Sequence, residues 1–105
     1  MAAAPPANAL DTARQQADSG QLDQAIATCE AALRASGESA QAHYLMGLAH
    51  GAKGDEERAF AEYRKAIYLE PGHYEALVHL ALLTEKRGDS AGARRLHERA
   101  RRRAA

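Results

Sequence analysis

Apolar residues in this chain recur at intervals of three and four, the spacing of one face of an α-helix. In the stretch GHYEALVHLALLTEKRGD, residues 72–89, Leu77, Leu80, Ala81 and Leu83 form such a face, and the pattern stops at Gly88-Asp89. The same stop, Gly54-Asp55, comes 34 residues earlier, and Gly20 lies 34 residues before that. Periodicity and punctuation together predict six helices, at about 8–18, 22–36, 40–53, 56–70, 74–87 and 90–103. Each glycine suits the left-handed residue that follows a helix end, and Asp55 and Asp89 can then cap the next helix by accepting its free amide hydrogens. Ser39 offers the same cap to the third helix, and Glu56 and Glu57 favour the positive end of the fourth. Pro71-Gly72 ends that helix, because proline cannot continue the hydrogen-bond ladder.

The period extends beyond the turns. Ala25, Ala59 and Ala93 superimpose under the 34-residue shift, as do Ala32, Ala66 and Ala100. These small residues share one face of each second helix and allow close approach to the first helix of the same unit. A second stripe, Ile26, Leu33 and Ala35, then Phe60, Ile67 and Leu69, is expected to meet the following unit. In the third unit these positions are Arg94, Arg101 and Arg103, so the outer face is charged and the array is expected to end there. Repeats suit a chain of 105 residues: a single core of this size is marginal, whereas stacked helical pairs bury a continuous ribbon by touching only their neighbours.

Within the second unit His43, Met46, Gly47, His50, Ala59, Tyr63, Ala66 and Pro71 fall at offsets that resemble the tetratricopeptide repeat, whose landmarks are W-x2-L-G-x2-Y, A-x3-F and P. His43 and Leu77 stand where a large aromatic is usual, the first unit offers only Ala9, Thr12, Ala13 and Gln16, and Thr84 and His97 replace aromatics in the third. The resemblance implies an all-α fold of three helix-turn-helix units, about 6–39, 40–73 and 74–105, stacked as a short right-handed solenoid over 8–105. Residues 1–7, with Pro5-Pro6 after three alanines, read as a flexible lead-in or linker remnant of a longer natural chain.

In such a stack the first helices line a concave surface that binds protein segments. The register places Leu10, Arg14, Gln41, Tyr44, Leu45, Leu48, Glu75, Val78, His79 and Leu82 there. Tyr44, Leu48, Val78 and Leu82 are expected to form an apolar strip flanked by Gln41, Glu75 and His79, with Leu45 and Val78 equally suited to packing between units. Tyr44 is assigned to the groove because tyrosine combines apolar area with a polar tip. Tetratricopeptide clamps for a chaperone's C-terminal carboxylate use Lys and Asn on this surface; here the corresponding residues are Leu10, Arg14, Leu45, Glu75 and His79. Only Arg14 is a secure cation and Glu75 repels a carboxylate, so an apolar or amphipathic segment fits better.

Charge and chemistry narrow the classes further. Lys and Arg number 14 and so do Asp and Glu, but the bases crowd the C-terminus. The run RRLHERARRR, residues 94–103, has the charge to meet phosphates of nucleic acid or acidic lipid, yet no aromatics interleave for base stacking, and it reads as a solvated end face. No nucleic-acid partner is expected, electrostatic binding to nucleic acid or membrane through this run being the lesser alternative, and no membrane insertion is expected, since no window approaches about 18 uninterrupted apolar residues. Cys29 is alone, so no intramolecular disulfide can form, and a cytoplasmic setting fits. It stands at an aromatic position of its unit, where a packed thiol is expected. His43, His50, His73, His79 and His97 carry no metal-ligand spacing, and no nucleophile triad, phosphate-cradling loop or cofactor motif is present. Binding, without catalysis or a cofactor, is the expected role.

Tyr68, in KAIYLEP, is an aromatic where the repeat usually carries a polar outer residue. The passage YRKAIYLEPGHYEALVHLALLTEKRGD, residues 63–89, continued by GARRLHERA, resembles the tetratricopeptide region that follows the catalytic domain in some bacterial chemoreceptor methyltransferases of the CheR type, including WspC-like members. The resemblance implies a regulatory or targeting module in bacterial chemosensory signalling. Its parent would transfer methyl groups from S-adenosylmethionine to receptor glutamates, and its partner would be a chemoreceptor or another chemosensory protein. None of the catalytic motifs maps onto this chain. A stand-alone scaffold, or self-association through Tyr68 or the first helix, is the alternative.

Overall fold

The three glycines that set the period do so through the same backbone device. Gly20, Gly54 and Gly88 have φ of 82°, 87° and 88°, and after each the next residue's N–H reaches back five residues: Gln21 to the Gln16 carbonyl, Asp55 to His50 and Asp89 to Thr84, at 2.8, 2.9 and 3.1 Å. This closure satisfies carbonyls left open at a helix end and reverses the chain in three residues. The structure is a computed structural model that describes residues 9–104; the expected lead-in over 1–7 lies outside the described residues.

Among these, six helices follow in order: α1 Ala9–Asp18, α2 Leu22–Ser36, α3 Ala40–Ala52, α4 Glu56–Leu69, α5 Tyr74–Lys86 and α6 Ser90–Ala104. The expected caps form. Ser39 accepts from the Ala42 N–H at 3.1 Å, Asp55 from Arg58 at 3.2 Å and Asp89 from Gly92 at 2.8 Å. An unforeseen cap starts α5, where His73 Nδ1 accepts from the Ala76 N–H at 3.1 Å. That bond fixes the tautomer, so Nε2–H donates to Gln41 Oε1 at 3.0 Å and ties α3 to the entry of α5.

Helices pair as α1 with α2, α3 with α4 and α5 with α6, and the pairs join through α2 on α3 and α4 on α5. The stack measures 51 × 28 × 19 Å. Within pairs the small residues work as the period implies: Ala25, Ala59, Ala66, Ala93 and Ala100 are buried, with Ala32 half-buried. Between pairs Ile26, Leu33, Phe60 and Ile67 pack against the core as expected. Ala35 and Leu69 do not: both lie in the last turn of their helices and stay exposed, beyond the reach of the next unit. Each joint also carries ion pairs between residues 30 apart: Lys53 with Asp23, then Lys86 with Glu56 and Arg87 with Glu57. Arg87 also lies over the Phe60 ring at 3.6 Å. The base always comes from the end of a first helix and the acid from the start of the preceding second helix.

Candidate functional site

Three of the residues assigned to the concave surface meet in one cleft. Leu48 on α3 and His79 and Leu82 on α5 line an opening of about 350 Å³ together with Tyr63, Leu83 and Lys86. Leu82 is 54% exposed, although its neighbours Leu80 and Ala81 are buried. An alternating fate along one helix is what the 3.6-residue period requires when a single face serves the core. The Lys86–Glu56 ion pair closes one end of the cleft, giving an apolar wall a polar boundary.

Beneath it four rings pack together. Tyr44 has centroids at 6.0 Å from Tyr63, 5.1 Å from His73 and 5.7 Å from His79, and His79 stacks on Tyr63 at 5.4 Å. Burial raises the Tyr63 hydroxyl pKa well above its ordinary value. It raises that of Tyr44 too, assisted by the Glu75 carboxylate and opposed by Arg14. Burial lowers the pKa of His79, with Glu75 partly offsetting the shift. The cluster therefore favours a neutral imidazole against two protonated phenols.

Two assignments change. Leu45 has no exposed surface, and Tyr44 only 4%, the rings of the next unit, His73 and His79, folding over Tyr44. Tyr44 supports the cleft from below, and neither residue offers surface for direct contact with a partner. Val78 lies outside the cleft, in a separate groove between α5 and α6. Glu75 is exposed, Gln41 is held by His73, and Leu10 and Arg14 are half-buried on α1, away from the cleft. Tyr63, Leu83 and Lys86 were not among the assigned residues. A signal for Tyr63 existed: it follows Ala59 at the spacing where the repeat keeps an aromatic facing its first helix.

Other groups are structural. Cys29 is fully buried and burial pushes its thiol up to about 11, which keeps it protonated and unreactive. His43, also buried, bridges Glu62 Oε1 at 2.6 Å from Nδ1 and Glu38 Oε1 at 3.4 Å from Nε2, joining α3 to α4 and to the loop before it. Among the described residues no group of three or more His, Cys, Asp or Glu could hold a metal ion, and no helix is long and apolar enough to cross a membrane.

Comparison with known proteins agrees with this geometry. Residues 40–73 match the tetratricopeptide repeat family. The probable biofilm formation methyltransferase WspC of Pseudomonas aeruginosa is 50% identical over 97 residues, 92% of this chain and 23% of that protein. Its counterpart in Pseudomonas putida is 51% identical over 84 residues, 80% of this chain and 20% of that protein. The chain thus spans less than a quarter of the length of these relatives. Among solved structures, a MamA double mutant superimposes with a TM-score of 0.80 at 22% identity, covering 91% of this chain and 54% of that one. PcrH, crystallised with the chaperone binding region of PopB, gives 0.80 at 21% identity, covering 92% and 78%. Six helices packed in pairs, a repeat match centred on α3 and α4, and half-identity to a stretch of WspC converge on one assignment: the chain is a tetratricopeptide-repeat domain homologous to part of the WspC methyltransferases.

Proposed function

We propose that this domain is a protein-interaction module that seats an apolar or amphipathic segment of a partner in the α3–α5 cleft. Leu48 and Leu82 supply the contact area, His79 lines its base and Lys86 fixes a polar end of the segment. In the parent protein the module regulates or targets a chemoreceptor glutamate methyltransferase, and its partner is a chemoreceptor or another chemosensory protein. The observation that carries this reading is Leu82, a large apolar side chain left 54% exposed at the mouth of the cleft. The kinship with WspC supports the methyltransferase setting. The PcrH complex supports the mode of use, since that protein has the same fold and holds a region of PopB.

Isothermal titration of the chain against cytoplasmic fragments of its organism's chemoreceptors tests both parts. Leu82→Glu should weaken binding at least about tenfold, roughly 1.4 kcal/mol, while Tyr68→Glu on the far side of the unit should leave it unchanged. Loss with Tyr68→Glu and not with Leu82→Glu would move the seat to the second helices. Failure of every fragment to bind would overturn the chemosensory setting.

A further inference from the structure

The two ends of the stack carry opposite charge at the register positions through which its internal units touch. Inside, the α4–α5 joint puts acids on the second helix and bases at the end of the first: Glu56 and Glu57 on α4 pair with Lys86, the last residue of α5, and Arg87, which caps it. The α2–α3 joint repeats the arrangement with Asp23 and Lys53. At the outer ends the polarity reverses. The first helix, α1, shows Asp11, Gln15 and Asp18 along one exposed edge. Two shifts of 34 residues place Asp11 at the His79 position and Asp18 at the Lys86 position. The last helix, α6, shows Arg94, His97 and Arg101, all exposed, at the positions of Phe60, Tyr63 and Ile67.

The two edges also match in length and shape. Asp11 and Asp18 are seven residues apart, as are Arg94 and Arg101, a separation of about 10 Å on either helix. Arg94, His97 and Arg101 border a groove of about 730 Å³ that Tyr74, Val78 and Ala100 make partly apolar. Glu98 also lines it and pairs with Arg101, leaving the border net basic. At each internal joint the end of a first helix meets the start of the preceding second helix, an antiparallel fit. By the same fit Asp18 of an incoming α1 comes to Ser90 and Asp11 to His97, so each carboxylate lies one helical turn from an arginine, Arg94 or Arg101. A further unit with ordinary joint charges suits neither end: its acids would face Asp18, or its bases would come within a turn of Arg94.

We propose that this domain associates head to tail with itself, α1 of one copy entering the α5–α6 groove of the next. The contact is heterologous, so it propagates and does not close as a two-fold dimer. It rests on exposed charges, so it is weak and screened by salt. It does not depend on what fills the α3–α5 cleft.

Sedimentation velocity across a concentration series tests this, in about 20 mM and about 0.5 M NaCl. At low salt the weight-average mass should climb with concentration past that of a dimer, and the association constant should fall at least about tenfold at high salt. The double variants Asp11→Lys/Asp18→Lys and Arg94→Glu/Arg101→Glu should each stay monomeric with an unchanged helical signal. Their equimolar mixture should associate again, because every junction regains opposite charges. A wild-type chain that stays monomeric at low salt overturns the proposal. So does a closed or salt-insensitive dimer, or a mixture of the variants that fails to associate.

Discussion

Gly47 and Gly51 lie one turn apart on α3, and alanine substitutions at the two should move stability in opposite directions. A Cβ added at Gly47 would sit 2.5 Å from Tyr63 Cε1 and 2.7 Å from Cδ1, inside any real contact distance. The ring cannot step aside, since it is 4% exposed and held between Tyr44 and His79. At Gly51 the new Cβ would meet the Ala59 Cβ at 3.7 Å, an ordinary contact. Replacing a helical glycine by alanine gains about 0.5–1 kcal/mol in backbone entropy, and Gly51→Ala should show that gain undiminished. Overpacking a core costs about 1–3 kcal/mol, so Gly47→Ala should be net destabilising, by up to about 2.5 kcal/mol. The register supports the cause. The pair equivalent to Gly47 and Tyr63 is Ala13 with Cys29 in the first unit and Ala81 with His97 in the third, so glycine appears where the large buried ring does. Urea denaturation of the two variants, with midpoints compared at constant slope, measures both changes. Adding Tyr63→Cys to Gly47→Ala should bring a favourable coupling, because it recreates the small pair of the first unit. A Gly47→Ala protein as stable as wild type would refute the assignment of the ring as a rigid wall.

Three further outcomes follow from the site. His79 has its pKa lowered mainly by burial, so the unfolded chain takes up a proton at higher pH than the folded one; stability should fall as pH drops from about 6.5 toward the lower folded value. Thermal melts at about pH 7.5 and 5.5 should show His79→Phe losing less than wild type, and Glu75→Gln losing more, since Glu75 partly offsets the shift. His73→Ala removes both the α5 cap and the tie to Gln41 and should cost about 1–2 kcal/mol in the same melts, with Gln41→Ala costing less. Cys29, its thiol pushed up to about 11, should react with an aromatic disulfide reagent only as fast as the chain opens; immediate reaction in the native state would contradict its burial.

The fold was legible because its punctuation is local. Gly20, Gly54 and Gly88 need positive φ, Asp55, Asp89 and Ser39 cap their own helices, and all of this is written within a few residues of each helix end. The site was only partly legible because exposure on a first helix depends on the following unit. Leu48, His79 and Leu82 reach the cleft as the register implies. Tyr44 has the same register as Val78 but is covered by His73 and His79, whereas Val78, on the last first helix, opens onto the end groove. The His73 cap is not legible in the sequence because histidine is a rare N-cap, and its partner Gln41 lies 32 residues away across the joint.

The proposed function requires that one face of the stack, the first-helix cleft, takes up the partner segment. A peptide selected for binding from a random display library, titrated into isotopically labelled chain, can be followed through backbone amide shifts. Perturbations centred on Leu48, His79, Leu82 and Lys86, and abolished by Leu82→Glu, are expected. Perturbations centred on Ala61, Lys65 and Tyr68 of α4, with the cleft unmoved, would contradict the assignment of binding to the first helices.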